Sequence, residues 1–324
     1  MNSKPSIDLD PQLAAAQRLT DEMQAELGPP SRDIAAIRER AAELRKWWNR
    51  GGPRMARVIE ASVPGPFRQI PIVVYVPEGS APLRPAYVYL HGGGYKLGNQ
   101  HANDRQMREI AEAWGGIVIS ADYVHVPEYR FPCAIEETAA LFEWLSRHAE
   151  QWGIDGQRLA FGGSSAGANV SLGAAIQLGG EACGYLRAGA LVVGTYGDRT
   201  TTESMRIYGD GALYPSRAAV LVNLDEYVPD AAMRADPRFD CFAADPSRFP
   251  PMFIAAAQYD VFRDASRAWQ QWLLDHGRTV VFKEYPGMSH VFLGYSRMVD
   301  QAQACVRDIA EFLSQHLSPA VRGN

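Results

Sequence analysis

Residues 161–169 read FGGSSAGAN, and within them Gly163-Ser164-Ser165-Ala166-Gly167 makes a G-x-S-x-G. Small residues two before and two after a serine let a strand turn sharply into a helix, holding the serine in strained backbone at the carboxyl edge of a sheet. Ser164 competes for the role, but it would need Gly at 166, where the chain has Ala. A phosphate loop would need a Lys after the glycines, and none is there. Upstream, Leu90 runs into His91-Gly92-Gly93-Gly94-Tyr95, and consecutive glycines let backbone N–H groups face a developing oxyanion. Gly93, Gly94 and Ala166, the residue after the serine, are the expected donors.

A serine becomes a nucleophile only beside a base that an acid orients. Between Ser165 and the terminal helix stand His276 and His290. His276, in Asp275-His276-Gly277, reads as a helix C-cap residue. His290, in PGMSHVF, lies in a loop after a strand and is the expected base. Asp260 directly follows the strand-like MFIAAAQY and is the expected acid, whereas Asp264 reads as a start-of-helix charge. Asp236, Asp240 and Asp245 belong to irregular turns. The trio Ser165, Asp260 and His290 predicts acyl transfer through a covalent acyl-enzyme.

These residues need a scaffold that delivers them from distant parts of the chain. Apolar runs predict strands at 69–76, 86–90, 117–121, 159–161, 190–194, 252–257 and 279–284, with helices at 104–114, 134–149, 264–276 and 298–316. Strands apolar throughout and alternating with helices indicate an α/β fold with a mostly parallel sheet covered on both sides. Residues 11–50 read as two helices broken at Gly28-Pro29-Pro30. Between 195 and 248 the rhythm stops, apart from a helical stretch at 216–226. So long an irregular segment inside a compact domain predicts a functional lid. The expected division is N-terminal helices at 1–50, a core at 51–194 and 249–324, and a lid insertion at 195–248.

The 324 residues suffice for a large core without disulfide or metal staples. With 32 Lys+Arg against 37 Asp+Glu, and the basic residues scattered, nucleic acid is not an expected partner. MNSKPSIDLD lacks an apolar leader, and no stretch reaches the roughly 18 apolar residues of a membrane span, so a cytoplasmic location is expected. Cys133, Cys183, Cys241 and Cys305 form no CxxC pair, which leaves no metal or redox motif.

HGGGY at 91–95, DYVHVPEYRFPCAIEE at 122–137, GGSSAGAN at 162–169, YDVFRD at 259–264 and GMSHVF at 287–292 together resemble the hormone-sensitive-lipase-like family of α/β-hydrolases, the bacterial acetyl esterase group. The resemblance covers about residues 60–315. It implies an α/β-hydrolase fold, a lid built from the N-terminal helices and the insertion, and carboxylesterase activity on short acyl groups without a cofactor. The chain departs from the family's usual Asp at Ser164, and reads Tyr123-Val124-His125-Val126-Pro127-Glu128 where Tyr-Arg-Leu-Ala-Pro-Glu is usual. Glu128 is either a brace behind the site or a surface charge, and His101 and His125 read as structural.

The expected partner is a small-molecule ester. An amide, carbamate or lactone uses the same trio, and a non-catalytic binding protein on this fold is the remaining alternative. Tyr95, Tyr196, Arg199 and Tyr208 are candidate substrate contacts; Arg199 and Arg206 would suit an acidic substrate. A homodimer is the assembly to test.

Overall fold

The computed structural model describes residues 6–29, 31–79 and 81–317. Residues 1–5 of the expected N-terminal segment, Pro30 of its break and residues 318–324 of the expected core lie outside the described residues. Two helices open the fold, α1 (Pro11–Glu26) and α2 (Ile34–Trp48). Asp10 caps α1 by accepting from the amides of Gln12 and Leu13, with Pro11 at the first position, and Asp33 caps α2 through the amide of Ala36.

The sheet begins with β1 (Arg57–Pro64), β2 (Gln69–Val76) and β3 (Arg84–Leu90), followed by α3 (Asp104–Trp114), β4 (Ile117–Ala121), α4 (Cys133–His148), β5 (Ile154–Ser164), α5 (Ala166–Gln177) and β6 (Leu186–Val192). The insertion carries two short helices, α6 (Glu203–Tyr208) and α7 (Arg217–Tyr227), and several 3-10 turns. The core resumes with β7 (Met252–Tyr259), α8 (Arg263–Asp275), β8 (Val280–Ser289) and α9 (Asp300–Leu317). The eight strands lie in the order β1-β2-β4-β3-β5-β6-β7-β8, with β2 antiparallel to both neighbours and β4 through β8 parallel.

Three sequence expectations change. β1 went unread because its burial pattern is that of an exposed edge strand, with Val63 as its one fully buried residue. The expected strand at 159–161 runs from Ile154 to Ser164, and the last strand extends to Ser289, because pairing with neighbours continues past the apolar stretch.

Alternate residues along each strand enter different cores, as a pleat requires. On β3, Val88 and Leu90 join Ile135, Phe142 and Trp269 on one face, while Tyr87 and Tyr89 join Met107, Ile309 and Phe312 on the other. The second face also buries Leu13, Ala16 and Trp48 from α1 and α2, so the N-terminal helices pack on the body of the fold. The register gathers the carboxyl ends: Leu90 pairs with Gly163, Ser164 with Val192, Val192 with Ala255, and Tyr259 with Ser289. The residues just beyond these pairs therefore meet at one edge.

Candidate active site

Ser165 occupies the turn between β5 and α5 at φ 54°, ψ −122°, a region that a residue with a side chain adopts only under strain. The flanking glycines permit it. A Cβ on Gly163 would lie 2.3 Å from the Leu90 carbonyl oxygen, and one on Gly167 would lie 2.3 Å from those of both Leu90 and His91. The Ser165 amide donates to the Val192 carbonyl at 2.9 Å, which anchors the turn to β6 and leaves the hydroxyl projecting.

His290 follows β8, and its Nε2 accepts from Ser165 Oγ at 2.8 Å. On the other side His290 Nδ1 donates to Asp260 Oδ2 at 2.9 Å. The second Asp260 oxygen accepts the Phe262 amide at 3.0 Å, so the carboxylate is held from within its own loop. Asp260 is 1% and His290 5% exposed, which strengthens these contacts by excluding water. The order Ser165, His290, Asp260 is a relay in which the acid fixes the imidazole tautomer that can take the serine proton.

The loop after β3 supplies the complementary electrostatics. Gly93 and Gly94 adopt φ 135° and 61°, and a Cβ on Gly93 would lie 2.0 Å from the Leu97 carbonyl oxygen. The Gly93 carbonyl accepts from the Lys96 and Leu97 amides, closing a turn. Among the described residues, the amides of Gly93, Gly94 and Ala166 have no backbone carbonyl partner, so all three can receive an oxyanion.

A buried polar group braces this loop from behind. His91 Nδ1 faces its neighbour's carbonyl, Gly92 O, at 2.9 Å, and Nε2 faces Asp122 Oδ1 at 3.1 Å. Arg68 binds Asp122 and Glu137, both at 3.1 Å, and Tyr123 stacks on the His91 ring with centroids 4.7 Å apart. Against the upward push of burial, hydrogen bonding and charge from His91, with the charges of His125 and Arg68, hold Asp122 down at about 2. Burial, and then the charge of His91, push His125 down to about 3, with Asp122 opposing. His91, Asp122 and His125 bring three donor atoms within 4.8 Å of one another, but Asp122 is already engaged by His91 and Arg68. Ser164, at the family's usual Asp, accepts a hydrogen bond from Tyr89 at 2.9 Å.

Ser165 stands between two cavities. The larger, about 500 Å³, reaches toward the N-terminal helices and is lined by Ala41, Arg45, Trp48, Leu97, Leu293 and Tyr295 among others. The smaller, about 50 Å³, is closed by the insertion through Thr195, Thr200, Val220, Asn223, Leu224 and Phe239. Ser165, His290 and Tyr214 line both.

Residues 87–294 match a family described as alpha/beta hydrolase fold. The chain belongs to that family. Within the α/β-hydrolases it stands in the hormone-sensitive-lipase-like group and is an enzyme of the carboxylesterase type. It is 34% identical over 307 residues to an acetyl esterase of Salmonella choleraesuis, covering 91% of this chain and 94% of that one. A hyperthermophilic esterase from the archaeon Pyrobaculum calidifontis is similar in structure, with a TM-score of 0.86 and 25% identity over 95% of this chain and 98% of that one. An ester-hydrolase from the metagenome of Lake Arreo, complexed with a bipyridine phosphonate derivative, matches with a TM-score of 0.86 and 28% identity over 96% and 100%.

Within this α/β-hydrolase the expected substrate contacts separate. Tyr95 lines the small cavity, stacked on Tyr227 at 3.8 Å with its hydroxyl on Asn169 and Thr195. Arg199 also lines it, but its guanidinium is consumed by Asp240 at 2.7 Å and by the face of Phe242 at 4.3 Å. Tyr196 and Tyr208 line neither cavity. Tyr196 is fully buried against Trp269, because the chain turns its ring into the core beside α8. Tyr208 packs on Tyr259 and accepts from Arg263. Arg206 pairs with Glu203 at the surface.

Of the remaining candidates, Glu128 lines neither cavity. Both its oxygens accept from Arg38 of α2 at 2.8 Å, and Arg38 in turn donates to the Lys96 and Val126 carbonyls, so Glu128 reaches the glycine loop only through Arg38. His101 lines the large cavity, and His276 bonds the Trp272 carbonyl at the end of α8. Asp264 accepts the Ser204 amide and so ties α8 to α6. Tyr214 and Arg45 were missed. Neither lies in a motif, and only the closure of the two cavities gives them a place.

Proposed function

We propose that Ser165, His290 and Asp260 are the catalytic triad, that Gly93, Gly94 and Ala166 form the oxyanion hole, and that the substrate is an ester of a short acyl group. The observation that carries this reading is the 2.8 Å and 2.9 Å relay at the junction of two unequal cavities. Ser165 Oγ attacks the ester carbonyl as its proton passes to His290 Nε2. The three amides receive the carbonyl oxygen as it becomes an anion. His290 then protonates the departing alkoxide, leaving an acyl-enzyme. A water deprotonated by the same imidazole attacks that acyl group, and the proton returns to Ser165.

The short acyl preference follows from volume. A cavity of roughly 150 Å³ holds benzene, so the small cavity of about 50 Å³ takes an acyl group of only a few heavy atoms. The alcohol portion then occupies the large cavity. The name of the Salmonella relative, an acetyl esterase, supports the same assignment. α1 and α2, with the insertion at 195–248, act as a two-part lid, since α2 walls the large cavity and the insertion the small one. The four thiols are free, in keeping with a reducing, cytoplasmic location.

Ser165→Ala decides the assignment. It is expected to melt with the wild type and to lose p-nitrophenyl acetate turnover by about 10⁵-fold or more. Undiminished turnover would remove Ser165 from the mechanism.

A further inference from the structure

The large cavity has an uneven charge. Ser165 and His290 stand at one side, and Ala41, Leu44, Trp48, Leu97 and Leu293 supply apolar wall. Arg45, from the last turn of α2, lies in that wall too, and no Asp or Glu among the described residues lines the cavity with it. Its Nε donates to the Ala102 carbonyl at 2.8 Å and its Nη2 to the Gly294 carbonyl at 3.2 Å. A guanidinium carries five N–H groups, so three are left over, and no carboxylate pairs with them among the described residues. Burial pushes the Arg45 guanidinium below its ordinary value, and the phenols of Tyr295 and Tyr89 oppose that only in part.

Most other cationic side chains near the site are spoken for. Arg199 has Asp240, Arg38 has Glu128, and Lys46, which also lines the cavity, has Glu43. Arg45 differs in lining the cavity that holds the nucleophile with no acid partner among the described residues, on a chain whose net charge is −5. Arg45 is half-buried in the cavity wall, a partly buried cation gains from a counter-charge, and a guanidinium's flat fork matches a carboxylate or phosphate through two parallel hydrogen bonds. The two carbonyls hold that fork in place between the loop after the oxyanion glycines and the loop after His290.

We propose that Arg45 is a substrate-binding residue and that the preferred ester carries an oxyanion, a carboxylate or phosphate, on its alcohol portion, joined to the ester by an apolar linker. This rests on the esterase reading above and names the class of alcohol. It replaces the insertion arginines, which the fold pairs with acids, as the place where a negative group is received.

The test uses the full-length protein and acetate esters of ω-hydroxy acids of increasing chain length, each beside its neutral carboxamide and its trimethylammonium analogue, with an ω-hydroxyalkyl phosphate series as the second oxyanion. Wild-type kcat/KM is expected to favour the anionic ester over the carboxamide by about tenfold or more, the worth of one charge-assisted hydrogen bond. The trimethylammonium ester should be the poorest. The carboxylate and phosphate arms show which oxyanion is preferred. Arg45→Gln should collapse the anion-to-amide ratio toward one, chiefly through KM, and Arg45→Lys should restore part of it.

A ratio is read because a purely structural clip between Ala102 and Gly294 would lower turnover of both esters alike. Equal wild-type rates on anionic and neutral esters would overturn the proposal without any variant, as would an unchanged ratio in Arg45→Gln. Absence of turnover on every ester, neutral ones included, would overturn the esterase reading instead.

Discussion

Gly167 shows how narrowly the backbone around Ser165 is determined. Its missing Cβ would meet two carbonyl oxygens, each at 2.3 Å, and both belong to the strand and loop that carry the proposed oxyanion donors Gly93 and Gly94. Gly167→Ala should therefore shift α5 against β3, destabilise the fold by about 2 kcal/mol or more and cut kcat. Thermal unfolding and acetate hydrolysis check both effects; an alanine variant as stable as the wild type would contradict the packing described. Asp260→Asn should preserve the fold but lower kcat by about 10⁴-fold, because an amide facing His290 Nδ1 fixes the wrong tautomer. That Ser165, His290, Asp260 and the glycines meet at one edge was legible in the sequence, because each lies in a short motif whose spacing has a mechanical reason. Tyr196 and Tyr208 fall outside both cavities, since composition cannot tell a buried ring from one facing a cavity. Arg45 was not legible, because its partners Ala102 and Gly294 are backbone carbonyls far along the chain.

At the scale of elements, the proposed acyl selectivity rests on the helices around the sheet. α7 contributes Val220, Asn223 and Leu224 to the small cavity. Acyl chains longer than it holds must displace these side chains, and overpacking of this kind costs about 1–3 kcal/mol. Turnover should fall by about tenfold or more between acetate and hexanoate on that ground. Leu224→Ala should move the optimum to longer chains, measured with a p-nitrophenyl ester series; an optimum unchanged by the truncation would place the acyl group elsewhere. The buried parallel strands and the amphipathic helices at 104–114 and 264–276 were readable from periodicity, because each must present an apolar face to the sheet. β1 escaped because an edge strand buries little and needs no strong pattern. The walls of both cavities escaped as well, since they form only where residues from the insertion, α2 and the loops converge.

For the whole molecule, acid is the condition that tests the polar brace. The unfolded chain protonates His125 near pH 6.5, whereas the folded protein does so only at about 3. The unfolded state thus binds more protons between these values, and stability is lost as pH falls from about 6.5 toward 3. Asp122, held at about 2, adds a further loss only below about pH 4. Between about pH 7.5 and about pH 4.5 the wild type should lose about 2 kcal/mol more than His125→Leu, read from urea unfolding. Equal losses would show that His125 is not kept neutral by the fold.

The N-terminal helix has a temporal consequence. α1 is held by the Gly287 carbonyl, by Ser289 and by Asp300, so its first residues meet partners nearly the whole chain away. During synthesis at about 5–20 residues per second, Leu13 and Ala16 emerge early and wait tens of seconds for the segment that will cover them. The wall of the active-site cavity is begun first and closed last, so a ribosome-bound chain lacking its final strand and helix cannot yet have a finished site.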